Sequence, residues 1–407
     1  MANSRSNGRY WWYPGARSRS ANDTRASTAL SWTAEAGGTD VKKTPTVYDV
    51  AARAGVSIAT VSFTFRRPER VRDSTRESVR AAARELGYVP NGNARGLAHG
   101  RTGALGLYSF DYLLDSPAPD GASSGSVDPE TGAMIIGEDS NDDFRSFPLY
   151  VDEVQRGVEL ECWRQGYALM VGGRGQGGSE QLVADIAGRV DGLAVFPRTV
   201  PYDVLHHIAR RIPVVEISEP SHDDRLNHVT VNNVAGMQAL MEHLITAHGL
   251  RDLLFVGDLE TSDSQARFDA FRAVLRAASL HIPRQPLSHR AGTKRSATAI
   301  VADLLTRQRM PDGLVCATDH EALAVIDALR EQGIEVPSQV AVTGFDGIAA
   351  GRLARPTLTT VRQPMEQVGR ATVDILLDRL ARPDEAPVSR ELPVRVVLRE
   401  SCGCRPG

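Results

Sequence analysis

Long apolar runs are missing from this 407-residue chain, and none of its stretches reaches the roughly 20 predominantly apolar residues that a membrane-spanning helix needs. The N-terminus also lacks the apolar stretch of a secretory signal, so a cytoplasmic address is expected. Cysteine is scarce, with four residues at Cys162, Cys316, Cys402 and Cys404. Only the last two are close, as a C-x-C without a second ligand pair nearby in the sequence. A zinc site takes about four ligands, so no metal is expected and the thiols read as buried or inert ones in a reducing compartment. No Ser-His-Asp or Cys-His grouping and no phosphate loop with a lysine is found, so neither catalysis nor a cofactor is expected. His206, His207, His243 and His248 read as helix residues with surface or packing roles.

What is present begins with an asymmetry of charge. The net charge of −3 conceals a segment, residues 42–102, in which twelve Lys/Arg face five acids. Residues 1–41 hold five Arg and three acids, so 103–407 is strongly acidic. A compact basic module on an acidic body points to a polyanionic partner for that module alone. Hydrophobic content of 42% and charged content of 24% suit ordinary globular domains, and the length allows two or three of them.

Four segments follow. Residues 1–43, rich in Ser, Arg, Gly and Ala, show no helical or strand period and are expected to be disordered. Residues 44–89 read as three short helices: Thr46 caps the first, Gly55 makes a turn, Ser57 caps the second, and Ser74-Thr75-Arg76-Glu77 opens the third as a capping box. Residues 90–102 form a glycine-punctuated hinge. From residue 103 to 407, apolar strands alternate with amphipathic helices, which predicts two α/β lobes with doubly wound parallel sheets. A Gly/Ser/Asp-rich stretch between Leu113 and Arg145 reads as a surface loop.

The helical segment has the spacing of a helix-turn-helix. Counted from Val47, the small residue Ala51 is fifth, the turn glycine Gly55 ninth and the branched Val61 fifteenth. That arrangement packs two helices so that the second can enter a major groove. Ile58, Ala59, Ser62, Phe63 and Arg66 on its outer face then have no core to pack into, and base edges are the expected partner.

At this point a resemblance covers the chain from Thr46 onward. TVYDVAARAGVSIATVS, its continuation RVRDSTRESVRAAARELGYVPN, and then ARGL, RVDGLAVF, IPVV, DSQARFDAF, VTGFDG, LTTVRQP and VVLRES resemble the LacI/GalR family of bacterial transcriptional repressors. The resemblance implies a small all-α helix-turn-helix domain followed by a periplasmic-binding-protein-like body that both binds effector and dimerises. It also implies that Ser57 and Thr60 meet phosphate or the groove edge, and that Ile58, Ala59, Ser62 and Phe63 sit nearest the bases. Thr46, Arg66 and Asn91 belong to the same DNA-contacting set. Phe63 departs from the family, where a hydrogen-bonding or basic side chain is common, and its ring suits a thymine methyl. Arg66 and Arg67 stand where asparagines are usual.

In that family the hinge folds into a short helix when paired with its twin on DNA, and a leucine from each chain opens a central base step. Leu97 matches the leucine, with Ala94 and Arg95 on the same turn. For the body, Arg267 matches the arginine that binds effector from the second lobe, and Asp346 the acid that accepts hydrogen bonds from ligand hydroxyls or N–H groups. Asp319 stands at another strand end, with Thr318 in place of the usual asparagine. Tyr108, Phe110 and Phe196 are ring-stacking candidates. The expected partners are a pseudo-palindromic double-stranded operator, a second copy of the chain and a small-molecule effector, by family frequency a sugar, with no membrane.

Two other readings fit parts of the chain. A soluble sugar-binding receptor without a DNA-binding role conflicts with the intact Ala51/Gly55/Val61 spacing. An α/β enzyme would use GGRGQGG (172–178) as a dinucleotide loop. That site needs an acid ending the next strand, whereas Asp191 starts the strand DGLAVF rather than finishing it.

Overall fold

The structure, a computed structural model, describes residues 45–89, 101–109, 149–173, 179–220, 226–290, 293–294 and 296–404. The expected N-terminal extension, the stretch 113–145, Phe110 and the hinge residues Asn91, Ala94, Arg95 and Leu97 lie outside them. The chain divides into two compact units, Met1–Pro90 and Asn91–Gly407.

The first unit is built of α1 (Val47–Ala54), α2 (Ile58–Arg66), a 3₁₀ turn at Pro68–Arg70 and α3 (Asp73–Leu86). Thr46 and Asp49 form a reciprocal capping box: the Thr46 hydroxyl accepts from Asp49 N, and the Asp49 carboxylate accepts from Thr46 N at 2.7 Å. Gly55 then takes φ +65°, a left-handed conformation that a Cβ would strain. Val50, Ala51, Val61, Val79, Ala82 and Ala83 make the core. Ser74 does not cap the third helix. The cap position falls two residues earlier, at Arg72, with Asp73 in the first turn, where a carboxylate favours the helix dipole and pairs with Arg76 at 2.6 Å.

The second unit holds two mainly parallel sheets. Its elements are β1 (Ala104–Ser109), α4 (Leu149–Gln165), β2 (Ala168–Gly173), α5 (Ser179–Ala187), β3 (Gly192–Val195), α6 (Tyr202–Ala209), β4 (Val214–Ile217), β5 (Asn227–Val231) and α7 (Asn233–Thr246). There follow β6 (Leu253–Val256), α8 (Ser262–Ala277), the short pair β7 (His289–Arg290) and β8 (Thr293–Lys294), α9 (Ala297–Thr306), β9 (Gly313–Cys316) and α10 (Asp319–Glu331). The described chain closes with β10 (Ala341–Asp346), α11 (Ala350–Leu353), β11 (Thr359–Arg362), α12 (Met365–Ala381), β12 (Ser389–Leu392), β13 (Arg395–Val397) and a 3₁₀ turn at Glu400–Cys402.

One sheet has the order β12-β5-β4-β3-β1-β2, the other β13-β11-β10-β9-β6, with β13 antiparallel to β11. Each sheet carries buried apolar clusters on both faces, as a doubly wound architecture requires. The chain passes between lobes three times: from β5 into α7 at Asn232, from β11 into α12 at Gln363, and between β12 and β13. Asp191 precedes β3 and is fully engaged. Its two carboxylate oxygens accept from Thr102 N (2.6 Å), Thr102 Oγ1 (3.0 Å) and Gly103 N (2.8 Å), pinning the start of β1. That leaves it no part in holding a ribose.

Candidate functional site

Helix α2 has two distinct faces. Val61 and Thr64 are buried, and Thr64 donates its hydroxyl to Thr60 O at 2.9 Å. On the opposite face Ser57, Ile58, Ala59 and Phe63 are exposed, with Ile58 at 42% and Phe63 at 43%. Two large apolar side chains left in water on one short face mark a surface for contact. Ser57 caps the helix by accepting from Thr60 N at 3.2 Å, and its hydroxyl lies 2.9 Å from that of Thr60. Two hydroxyls therefore sit beside the free N–H groups at the helix start, a combination suited to phosphate oxygens.

The second unit carries a cleft of about 270 Å³ between its sheets. Its lining residues follow the carboxyl ends of strands: Phe196 after β3, Ser218 after β4, Asp258 after β6, Thr318 after β9, Asp346 at the end of β10 and Gln363 after β11. Open α/β sheets bind ligands at these ends. Ser218 and Asp346 both hold positive φ, +59° and +125°, a strained backbone of the kind that collects at ligand sites.

A buried polar chain runs along the cleft floor. Asn233 Nδ2 donates to Asp263 Oδ1 at 2.7 Å, and Arg267 Nε donates to Asn233 Oδ1 at 2.8 Å. Arg267 Nη1 donates to Ala317 O at 2.8 Å, and the guanidinium lies 3.6 Å from both Asp263 and Asp346 and stacks 3.8 Å above the Phe345 ring. Gln363 Nε2 completes the chain by donating to Asp346 Oδ1 at 2.7 Å. The chain thus joins Asn233, beside the first lobe crossing, to Gln363 at the second. Burial pushes the carboxyls of Asp263 and Asp346 above the ordinary carboxylate range, opposed by Arg267 in both cases. Tyr150 hydrogen-bonds Ser218 at 2.6 Å and meets Phe196 edge-on at 6.5 Å, and burial pushes its phenol up. The lips of the cleft are bridged where Ser262 Oγ donates to Ser218 O and to Glu219 Oε2.

The sequence pattern described as bacterial regulatory proteins, lacI family, matches residues 46–91, and the periplasmic binding protein-like domain matches residues 241–402. The HTH-type transcriptional repressor PurR of Klebsiella pneumoniae (strain 342) is 27% identical over 362 residues, covering 88% of this chain and 96% of that protein. The one from Haemophilus influenzae (strain PittEE) is 28% identical over 346 residues, covering 84% and 92%. Among solved structures, the transcriptional regulator CelR–cellobiose complex aligns with TM-score 0.58 at 26% identity, covering 88% of this chain and 99% of that one. The lac repressor dimer bound to operator and the anti-inducer ONPF aligns with TM-score 0.67 and the same coverages, a likeness of fold at 23% identity. The chain belongs to the LacI/GalR family. It is a DNA-binding transcriptional regulator of the repressor type, with a body that takes small-molecule effectors.

For a LacI-family body, the predicted cleft residues are only partly brought together. Phe196, Arg267 and Asp346 line the cleft. Tyr108 does not: it is fully buried in the first lobe among Val183, Ile186 and Val195. The reason is pleat, because alternate residues of β1 face opposite sides of the sheet. Asp319 is also fully buried, and its carboxylate accepts from Gly347 N and Ile348 N at 2.8 Å each and from Thr360 Oγ1 at 2.5 Å. It braces the loop after β10 and is out of a ligand's reach. Sequence reading missed Tyr150, Ser218, Asp258, Asp263 and Gln363. The only signal for them was position just after a strand or at a helix start. Nor does the C-x-C stand alone. His243 and His248 lie beside Cys402 and Cys404, and His248 sits in the turn after α7 rather than on a helix.

Proposed function

We propose that this chain is a cytoplasmic homodimeric repressor whose α2 pair reads a pseudo-palindromic operator, and whose cleft takes a neutral carbohydrate. The exposed Ile58/Ala59/Phe63 face of α2, backed by a packed three-helix core, is the observation that carries the reading. In this reading Ser57 and Thr60 hold phosphate, Arg66 adds a phosphate contact and Phe63 covers a thymine methyl. Leu97, with Ala94 and Arg95, would open the central base step. The reading assigns binding and no reaction.

Carbohydrate is favoured by the chemistry of the cleft. Asp258, Asp263, Glu321 and Asp346 outnumber Arg267 there, so an anionic ligand meets net repulsion while hydroxyl donors meet acceptors. The Phe196 and Tyr150 rings offer an apolar wall to a sugar face. CelR in the solved complex holds cellobiose, which agrees with this class. Because the polar chain ties Asn233 to Gln363 across two crossings, a ligand that exchanges hydrogen bonds with it changes the relative energy of open and closed lobes. Effector can alter operator affinity only through that difference.

The test uses a duplex selected from random sequence by the full-length protein. For a dimer neutralising six or more phosphates, log K should fall against log salt with a slope steeper than about −5. Phe63→Ala should lose about tenfold in preference for the selected duplex over a scrambled one. Salt-insensitive binding, or equal binding to both duplexes by the unaltered protein, would overturn the proposal.

A further inference from the structure

Four soft or nitrogen ligand atoms converge at the far end of α7. His243 belongs to its last turn, His248 to the turn that follows, Cys402 ends the closing 3₁₀ turn, and Cys404 follows across Gly403. His243 Nε2 lies 3.1 Å from His248 Nε2, 3.4 Å from Cys404 Sγ and 3.8 Å from Cys402 Sγ, and Cys404 Sγ lies 3.4 Å from His248 Nε2. All four atoms fall within 4.8 Å of one another.

We infer that His243, His248, Cys402 and Cys404 form a structural site for one tetrahedral divalent cation of the zinc class. A tetrahedron with metal–sulfur bonds of about 2.3 Å and metal–nitrogen bonds of about 2.0–2.1 Å has edges of about 3.3 Å between nitrogens, about 3.5 Å between nitrogen and sulfur and about 3.8 Å between sulfurs. The one nitrogen–nitrogen and three nitrogen–sulfur separations given above, 3.1 Å and 3.4–3.8 Å, lie close to those edges, and the remaining two lie within 4.8 Å. Hydrogen bonding alone accounts for it poorly, because the His243 Nε2 has either one proton to donate or one lone pair to accept with, and three neighbours within 3.8 Å. A dication satisfies every lone pair at once, and two thiolates neutralise it in a place where Cys402 is buried and the other three are half-buried. Four protein ligands close the coordination shell, which marks a structural rather than a catalytic ion.

The surroundings are built for the arrangement. Gly403 holds φ +101°, and a Cβ there would stand 3.3 Å from the His248 ring, so this residue brings both sulfurs round to one side with no side chain in the way. The Thr359 hydroxyl lies 3.0 Å from Cys402 Sγ, an outer partner for a thiolate. Ser401 anchors the turn by donating to Val342 O at 2.6 Å and accepting from Thr359 N at 2.9 Å. The ion would fasten the C-terminal turn, already fixed to β10 and β11, to the helix whose opposite end carries Asn233 of the cleft.

The experiment takes the full-length protein, prepared under reducing conditions in zinc-supplemented medium, and measures metal by plasma mass spectrometry. About one zinc per chain is expected, with loss of that zinc in Cys404→Ser and in His248→Ala. Cobalt(II) added to the chelator-stripped wild type should give thiolate-to-cobalt charge transfer in the near ultraviolet and the strong visible bands of a tetrahedral centre. Zinc-free protein that shows no such cobalt spectrum would overturn the inference, whatever the variants do. So would stoichiometric zinc that both variants retain, or a Cys402–Cys404 disulfide in protein purified with thiols protected.

Discussion

Arg267 offers the sharpest perturbation. Its side chain is 4% exposed, donates two hydrogen bonds of 2.8 Å to neutral oxygens, and stands 3.6 Å from two carboxylates. Arg267→Ala removes the one arginine that lines the cleft among the described residues and leaves Asp346, buried, and Asp263, half-buried, without their counter-charge. Breaking a buried pair from one side costs about 3–5 kcal/mol. Protonation of the two carboxyls, already displaced upward, softens that loss, so about 3 kcal/mol is expected near neutral pH. At about 2–4 °C per kcal/mol the thermal midpoint should drop by roughly 10 °C. Arg267→Lys keeps the charge without the planar fork or the stack on Phe345 and should fall between the two. The assay is thermal unfolding with and without a panel of neutral sugars and sugar phosphates. A neutral sugar should raise the wild-type midpoint, the phosphorylated ones should not, and Arg267→Ala should lose the increment. A midpoint for Arg267→Ala within 2 °C of wild type would refute the structural part. An undiminished sugar response in that variant would refute the assignment of the cleft.

Two further outcomes follow from local chemistry. Because burial raises the folded-state pKa of Asp263 and Asp346, the folded chain retains protons that the unfolded chain has released, so stability should fall as pH rises from the ordinary carboxylate pKa of about 4 through the raised values, and then level off. Urea midpoints measured from about pH 5 upward should show this decline, which Asp263→Asn should flatten. A rise in stability across the same range would contradict it. Gly55→Ala forces a Cβ into a left-handed turn and should cost about 1–2 kcal/mol of the N-terminal unit's stability. Hydrogen exchange of the α1 and α2 amides in the full chain would read this, and unchanged protection would argue against the turn geometry.

The sequence by itself determined whatever depends on neighbours along the chain. Gly55 dictates a turn, Thr46 and Ser57 dictate caps, and Val50, Ala51, Val61 and Val79 dictate a core at helical spacing, so the DNA-reading unit was legible before any coordinates. Strand–helix alternation likewise fixed two doubly wound lobes. Tertiary structure alone decided which side chains share a site. Pleat turned Tyr108 into the first-lobe core, and three donors drawn from β11 and the loop after β10 claimed Asp319. Gln363 reached Asp346 only because β10 and β11 pair in parallel, with Arg362 opposite Asp346, and so bring their carboxyl ends together. The His/Cys cluster is the clearest case, since 159 residues separate His243 from Cys402. Local periodicity records which face of an element is apolar and carries no information about which distant polar atom will face it. Those pairings are set by sheet order and register, which emerge only when the whole chain has packed.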